Sequence, residues 1–156
     1  MKKSINNSAG FTLIELIIVI VILGVLAVTV APKFINFSTD ARISALRGLQ
    51  GAVESSLELT ASVAAIEGTT DLGGGLQTIT FQGNTVFLNA ASYPVNWTLG
   101  LQFMIDIEEN QWEIAALSQS AQFRPLGMTN SEDCYFQYDA SDINERPILT
   151  IVTNEC

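Results

Sequence analysis

From Phe11 to Ala31 the chain is apolar except for Thr12, Glu15 and Thr29, with Gly24 inside the run. As an α-helix rising 1.5 Å per residue, this run spans about 30 Å, the thickness of a bilayer's hydrocarbon core. A segment of that kind has to cross a membrane or be covered by other apolar surface. The lone carboxylate of Glu15 costs about 2.5–3.5 kcal/mol on insertion scales, which marks it as functional. The alternative is a glutamate near the membrane surface with no specific task. Ahead of the run, Met1 to Gly10 is a polar leader containing Lys2 and Lys3. A secretory signal peptide also has a basic start and an apolar core. The length of the run and the acid near its start count against one, and a cut after Ala31 is the form that alternative takes.

At 156 residues there is room for one membrane-length segment and one domain of roughly 120 residues. The net charge of −9 includes Lys2 and Lys3, so without the leader the side chains carry −11. Such an acidic body argues against nucleic-acid backbones and against docking on anionic lipid through a basic patch. The chain has no histidine. That removes the commonest general base, the Ser-His and Cys-His pairs, and most zinc or haem ligand sets. The expectation is therefore no enzyme, no catalytic residue, no cofactor and no metal. Cys134 and Cys156 are the two cysteines. In an exported chain they read as one disulfide, with two free thiols as the alternative.

Pro32 predicts a kink or an end to the apolar helix, because it lacks an N–H and clashes with the preceding turn. Beyond it the pattern is still helical. Phe34, Phe37, Ala41, Ala45, Leu49, Ala52, Leu59, Val63 and Ile66 recur at helical spacing, broken by Ser56. A second track, Ile35, Ile43, Leu46, Val53 and Leu57, widens the apolar face. Asp40, Ser44, Arg47, Glu54 and Glu58 form the polar side. The breadth of the apolar face implies two packing partners, a domain and something else. Gly48 and Gly51 each cost about 1 kcal/mol against alanine. They predict either close approach of a strand or controlled flexibility, and the first is favoured.

Gly68 to Gly75 reads as a turn-rich break, and its Gly73-Gly74-Gly75 as a plain turn. Gln77–Phe81 and Thr85–Leu88 alternate around Gln82-Gly83-Asn84, a hairpin signal. Ser92 to Asn96 is a Pro-containing loop, and Thr98 to Ile107 leans toward a short helix. Asp106 to Asn110 is an acidic turn. Cys134–Tyr138 and Ile148–Val152 read as strands joined by the loop Asp139 to Pro147.

No Lys or Arg lies between Phe11 and Ala31 to offset Glu15. Cutting the bond between Gly10 and Phe11 would supply a cation, the new α-amine of Phe11. On a helix, residues four apart are neighbours, so Glu15 can meet its own chain's amine. A neighbouring subunit's amine is the other option, and that pairing would fix the register of one helix against the next.

Gly10-Phe11-Thr12-Leu13-Ile14-Glu15 followed by a long apolar run resembles the prepilin signature of type IV pilins and type II secretion pseudopilins. The resemblance covers roughly the first 40 residues. It implies a peptidase cut after Gly10, methylation of the Phe11 amine, and an assembly role for Glu15. It also implies that Gly24 and Pro32 bracket a helix segment that loosens inside filaments. A narrower likeness joins Ala31-Pro32-Lys33-Phe34-Ile35-Asn36, Asp40-Ala41-Arg42 and Leu46-Arg47-Gly48-Leu49 to the mannose-sensitive haemagglutinin pilin group. Asp133-Cys134-Tyr135, leading to Cys156, is similar to that group as well. Its members mediate attachment, biofilm formation and haemagglutination. A Cys134–Cys156 bridge would contribute roughly 3 kcal/mol in the chain-entropy model, and the family's disulfide-bounded region is surface exposed and often carries receptor contacts.

Asp139, Asp142 and Glu145, with Asn144, read as a solvated acidic loop, with a calcium site as the minor alternative. Tyr93, Trp97 and Trp112 read as packing residues before they read as a glycan platform.

The expected architecture is α+β with a pilin fold. A leader at 1–10 is cleaved, 11–31 is the membrane and filament-core segment, and 32–156 is the periplasmic or extracellular domain. One helix of about 55 residues, Phe11 to Ala65, is about 80 Å long. The amphipathic helix, 32–66 in the domain, packs on an antiparallel sheet formed within 76–156, with a disulfide-closed C-terminal region. The expected function is a structural subunit that leaves the inner membrane for a surface filament used in attachment. The alternatives are a minor, tip-located pilin binding a receptor or glycan, and a pseudopilin. The implied partners are copies of itself, the prepilin peptidase and methylase, the inner-membrane assembly machinery, the membrane before assembly, and a surface or glycan receptor, with no nucleic acid.

Overall fold

The computed structural model describes residues 11–108, 110–128 and 133–156, with residues 31–36 described by backbone alone. The chain divides into two compact units, Met1–Thr39 and Asp40–Cys156. A single helix, α1 (Leu13–Glu67, 55 residues), begins in the first and ends in the second. Pro32 does not end it, since the backbone stays helical from Ala31 to Thr39.

In the first unit, Leu13–Val30 is long and apolar enough to cross a membrane, and none of it is buried by the rest of the chain. A helix satisfies its own backbone groups, which lipid requires. Thr29 follows the same rule: its Oγ1 donates to the Leu26 carbonyl at 2.9 Å.

In the second unit the buried face of α1 is Leu46, Leu49, Val53, Ser56, Leu57, Thr60 and Ala64. The described part of the second apolar track therefore points into the domain, with Leu46, Val53 and Leu57 buried and Ile43 half-buried. The first track is turned outward over most of its length, with Phe37, Ala41, Ala45, Ala52, Leu59 and Ile66 exposed. Ser56, which interrupts that first track in the sequence, is 4% exposed. It and Thr60 stay inside because their hydroxyls donate to the Val53 and Ser56 carbonyls of the same helix, each at 2.7 Å, so neither leaves an unpaired donor. Gly48 and Gly51 do not admit a strand. A Cβ built on either meets nothing within 4 Å, which corrects the expectation of close approach.

The expected single sheet is two. The first contains β1 (Thr70–Gly73), β2 (Leu76–Phe81) and β3 (Asn84–Leu88) in that order. The second contains β4 (Trp112–Ala116), β5 (Ser120–Pro125), β6 (Tyr135–Asp139) and β7 (Ile148–Val152), also in sequence order. All pairings are antiparallel. The hairpin between β2 and β3 turns at Gln82 and Gly83, both with positive φ (49° and 83°), as a two-residue primed turn requires.

The sheet stops at β3 because its far edge is taken. The Phe87 N–H donates to Leu99 O at 2.9 Å, and Phe87 O accepts from the Val95 N–H at 3.1 Å. An irregular segment thus occupies the position of a fourth strand. Gly100 belongs to this closure, since a Cβ there would stand 2.8 Å from Pro94 Cβ and 3.0 Å from Phe87 O. Only Leu101–Phe103 becomes helical, as one 3-10 turn. The expected helix over 98–107 is corrected by this close approach.

Two apolar clusters result. Leu46, Leu49, Val53 and Leu57 of α1 pack with Trp97, Phe123, Phe136 and Tyr138 of the four-stranded sheet and its approach. Trp97 meets Phe123 edge-on, with ring centroids 5.2 Å apart and planes at 83°. Ala64 packs instead with Ile79, Val86, Leu88 and Met104. Burying each large side chain contributes about 1.5–3 kcal/mol.

Polar hubs stitch the loops to this frame. Asn89 is 1% exposed. Its Nδ2 donates to Glu145 O at 2.8 Å, and its Oδ1 accepts from the Ala91 and Tyr93 N–H groups at 3.1 and 2.9 Å. The Tyr138 hydroxyl donates to Pro94 O. Burial pushes the Tyr138 phenol far above its ordinary pKa, which has a consequence at high pH. The unfolded chain ionises its tyrosines near pH 10 while folded Tyr138 stays neutral, so stability present below about pH 10 is lost as pH rises. Melting curves from pH 8 to 11 should therefore show an alkaline loss of Tm that Tyr138→Phe reduces. The same variant should start about 1 kcal/mol lower at neutral pH for want of its hydrogen bond.

Cys134 and Cys156 form a disulfide, with Cα atoms 4.9 Å apart. From α1, Arg42 Nη1 donates to the Cys156 carbonyl at 2.9 Å. Asp133 and Glu155 close the same corner through the Glu155 N–H to Asp133 O at 3.2 Å and the Asp133 N–H to Glu155 Oε2 at 3.2 Å. Replacing both cysteines with serine should cost roughly 3 kcal/mol. For a body of this size that is about 10 °C in Tm, readable by calorimetry on the detergent-solubilised protein.

Candidate assembly site on the N-terminal helix

The start of α1 is built by a reciprocal pair. Thr12 precedes the first helical residue, and its N–H and Oγ1 both donate to Glu15 Oε2, at 2.9 and 2.7 Å. In return the Glu15 N–H donates to Thr12 Oγ1 at 3.4 Å. This is a capping box, in which the hydroxyl and the carboxylate satisfy donors that the first turn leaves unpaired. The Thr-x-x-Glu spacing is visible in the sequence, yet the apolar run draws attention to the charge of Glu15 and away from its reach back to Thr12. Both Thr12 donors use Oε2. Oε1 has no hydrogen-bond donor among the described residues. Phe11 is 87% exposed.

Gly10 and the leader lie outside the described residues, as does the side chain of Pro32. Gly24 sits inside α1 with open space around it, since a Cβ there meets nothing within 4 Å. The acids of the 139–147 loop point into local turns. Asp139 Oδ1 accepts from the Ser141 N–H and Asp142 Oδ1 from the Asn144 N–H, at 3.0 and 2.9 Å. Among the described residues, no three acids, cysteines or histidines gather where they would hold a metal. Trp97 is a core residue, and one side of a cleft of about 370 Å³ is formed by Trp97, Thr98 and Trp112. Tyr93 lies elsewhere, with the Arg146 guanidinium 5.9 Å from its ring centroid.

The geometry at the N-terminus is that of an exposed apolar helix with a capped start and one oxygen of its only acid uncommitted. Residues 5–31 match the family model for the prokaryotic N-terminal methylation motif. This match supports a type IV pilin-like or pseudopilin protein. It covers the leader junction, Phe11, Glu15 and Gly24, and ends one residue before Pro32. Neither the curated proteins nor the solved structures gave a match. The methylation motif implies processing by a prepilin peptidase and incorporation by a pilus-type assembly system. With the apolar helix Leu13–Val30, it fits a membrane-anchored precursor.

Proposed function

We propose that the chain is a structural subunit of a type IV pilus of the mannose-sensitive haemagglutinin kind, used in attachment and biofilm formation. The precursor sits in the inner membrane through Leu13–Val30. The peptidase cuts between Gly10 and Phe11, the Phe11 amine is methylated, and subunits pass into a surface filament. The observation that carries this reading is the helix Leu13–Val30, left uncovered by the described residues and headed by the methylation motif. In a filament those apolar surfaces bury one another at about 25 cal/mol per Å².

Glu15 then sets register, because buried ion pairs specify arrangement better than they add net stability. Oε2 holds the cap while Oε1 is available to the Phe11 amine of a neighbouring subunit. No step in this role is catalytic, and none calls for a cofactor.

A second reading is a minor, tip-located pilin that binds a receptor. The cleft beside Trp97, Thr98 and Trp112 favours it, since aromatic and hydroxyl groups together suit a sugar ring. Shearing surface filaments and identifying their dominant protein and its first residue separates the readings. A major subunit dominates the preparation and begins at Phe11. A tip pilin is a trace component, and a secretion pseudopilin is absent from long surface filaments.

A further inference from the structure

The body that has to pack against copies of itself is strongly acidic. Of the 16 acidic residues only Glu15 precedes Asp40, and against the rest Asp40–Cys156 sets Arg42, Arg47, Arg124 and Arg146. Like charge at this density opposes packing unless cations meet acids across the contact. Three of the arginines are already engaged within the chain. Arg42 holds the Cys156 carbonyl. Arg124 is buried, donates to Gln122 Oε1 at 2.7 Å and lies 5.4 Å from the Tyr135 ring centroid. Arg146 pairs with Glu58 at 2.9 Å. Arg47 is exposed and, among the described residues, has no ion pair.

A groove runs beside Arg47. In one stretch Gly48 and Ala52 of α1 stand with Asp106, Ile107 and Glu108, and in the next Leu59 of α1 stands with Phe81, Gln102 and Asp106. Its two stretches, about 320 and 560 Å³, both reach Asp106. From Gly48 to Leu59 the helical wall is about 17 Å long. The wall is low at its start because Gly48 has no side chain and nothing of its own chain within 4 Å of where one would stand.

We propose that this groove receives the Arg47-bearing stretch of α1, residues 41–52, from a second copy of the chain, and that the second copy's Arg47 pairs with Asp106 and Glu108. The inference rests on the filament-subunit reading and adds to it a contact between bodies. The charges match, an exposed and unpaired cation against an acidic rim. The small residues Ala45, Gly48 and Ala52 let two helices approach to the short end of the usual 8–10 Å spacing. Arginine suits the site because its flat fork can meet two carboxylates at once.

The test is a charge exchange in the full chain, read by the yield of sheared filaments. Arg47→Glu alone, and Asp106→Arg with Glu108→Arg, should each lower the yield about tenfold, the factor that 1.4 kcal/mol represents. Combining all three should return it to within about twofold of the parent. Arg47→Lys should keep only part of the yield, since a single ammonium cannot meet both carboxylates as the fork does. The Tm of unassembled, detergent-solubilised subunits should stay the same in every variant. Parental yield from Arg47→Glu overturns the proposal, as does failure of the triple exchange to restore filaments that the parent does form. A lowered subunit Tm in Arg47→Glu also overturns it, because the residue would then act within its own chain. If the parent chain itself never appears in sheared filaments, the subunit reading falls and the groove contact falls with it.

Discussion

Glu15→Ala subunits are expected to enter the membrane and lose their leader normally, yet give no sheared filaments. Two roles of the carboxylate are removed together. One is the cap, where loss of the Thr12–Glu15 reciprocity costs about 1 kcal/mol and frays the first turn. The other is the charge that the Phe11 amine of a neighbour would meet. Insertion itself becomes easier, by about 2.5–3.5 kcal/mol on insertion scales, so a failure to assemble cannot be ascribed to a failure to insert. Glu15→Gln separates the roles, because an amide oxygen can still accept from Thr12 but offers no charge. Filaments from Gln but not from Ala would assign the residue to the cap. Absence from both assigns it to the ion pair. Normal filaments from Ala would remove both roles.

Gly10→Glu is expected to abolish processing, leaving the full precursor in the membrane and no filament. A bulky charged side chain stands where the peptidase must cut after a glycine, and filaments are then lost because the pairing cation does not exist in the precursor. Lys2 and Lys3 lie in the leader, and no other cation stands between them and Lys33. Until the bond before Phe11 is cut, Glu15 has Thr12 alone as its side-chain partner among the described residues. Mass spectrometry of membrane fractions gives the answer directly: intact precursor is the expected product. An uncut subunit found in functional filaments would refute the requirement for cleavage.

Much of the fold was legible where one local cause decides it. The hairpin was readable from Gly83-Asn84 between two alternating runs, though the turn falls one residue earlier, at Gln82 and Gly83, and leaves Asn84 in β3. β7 was readable from its apolar run, and the disulfide from cysteine number in an exported chain. The length of α1 followed from a membrane-length apolar run before Pro32 and helical periodicity after it. Strands β1, β4 and β5 were not legible, for different reasons. β1 is exposed at all four positions and so has no apolar pattern to show. In β5 the sheet's outer face carries Arg124, 7% exposed, so burial no longer follows the alternation. The division into two sheets depends on Phe87 bonding to Leu99 and Val95, contacts across a loop that no period announces. At the N-terminus the positions that matter were plain in the sequence, but the capping role of Thr12 was overlooked behind the charge of Glu15.

The bond from Arg42 to the Cys156 carbonyl joins positions 114 residues apart. It lies beside a disulfide that needs an oxidising compartment to form. Closing so long a loop is slow, and its entropy has to be met before the contact returns anything. On the proposed reading of an exported subunit, the body cannot finish folding before all of residues 42–156 have crossed the membrane. In that reading the Arg42 corner closes only once Cys156 has arrived, so completion of the body is clocked by that cysteine.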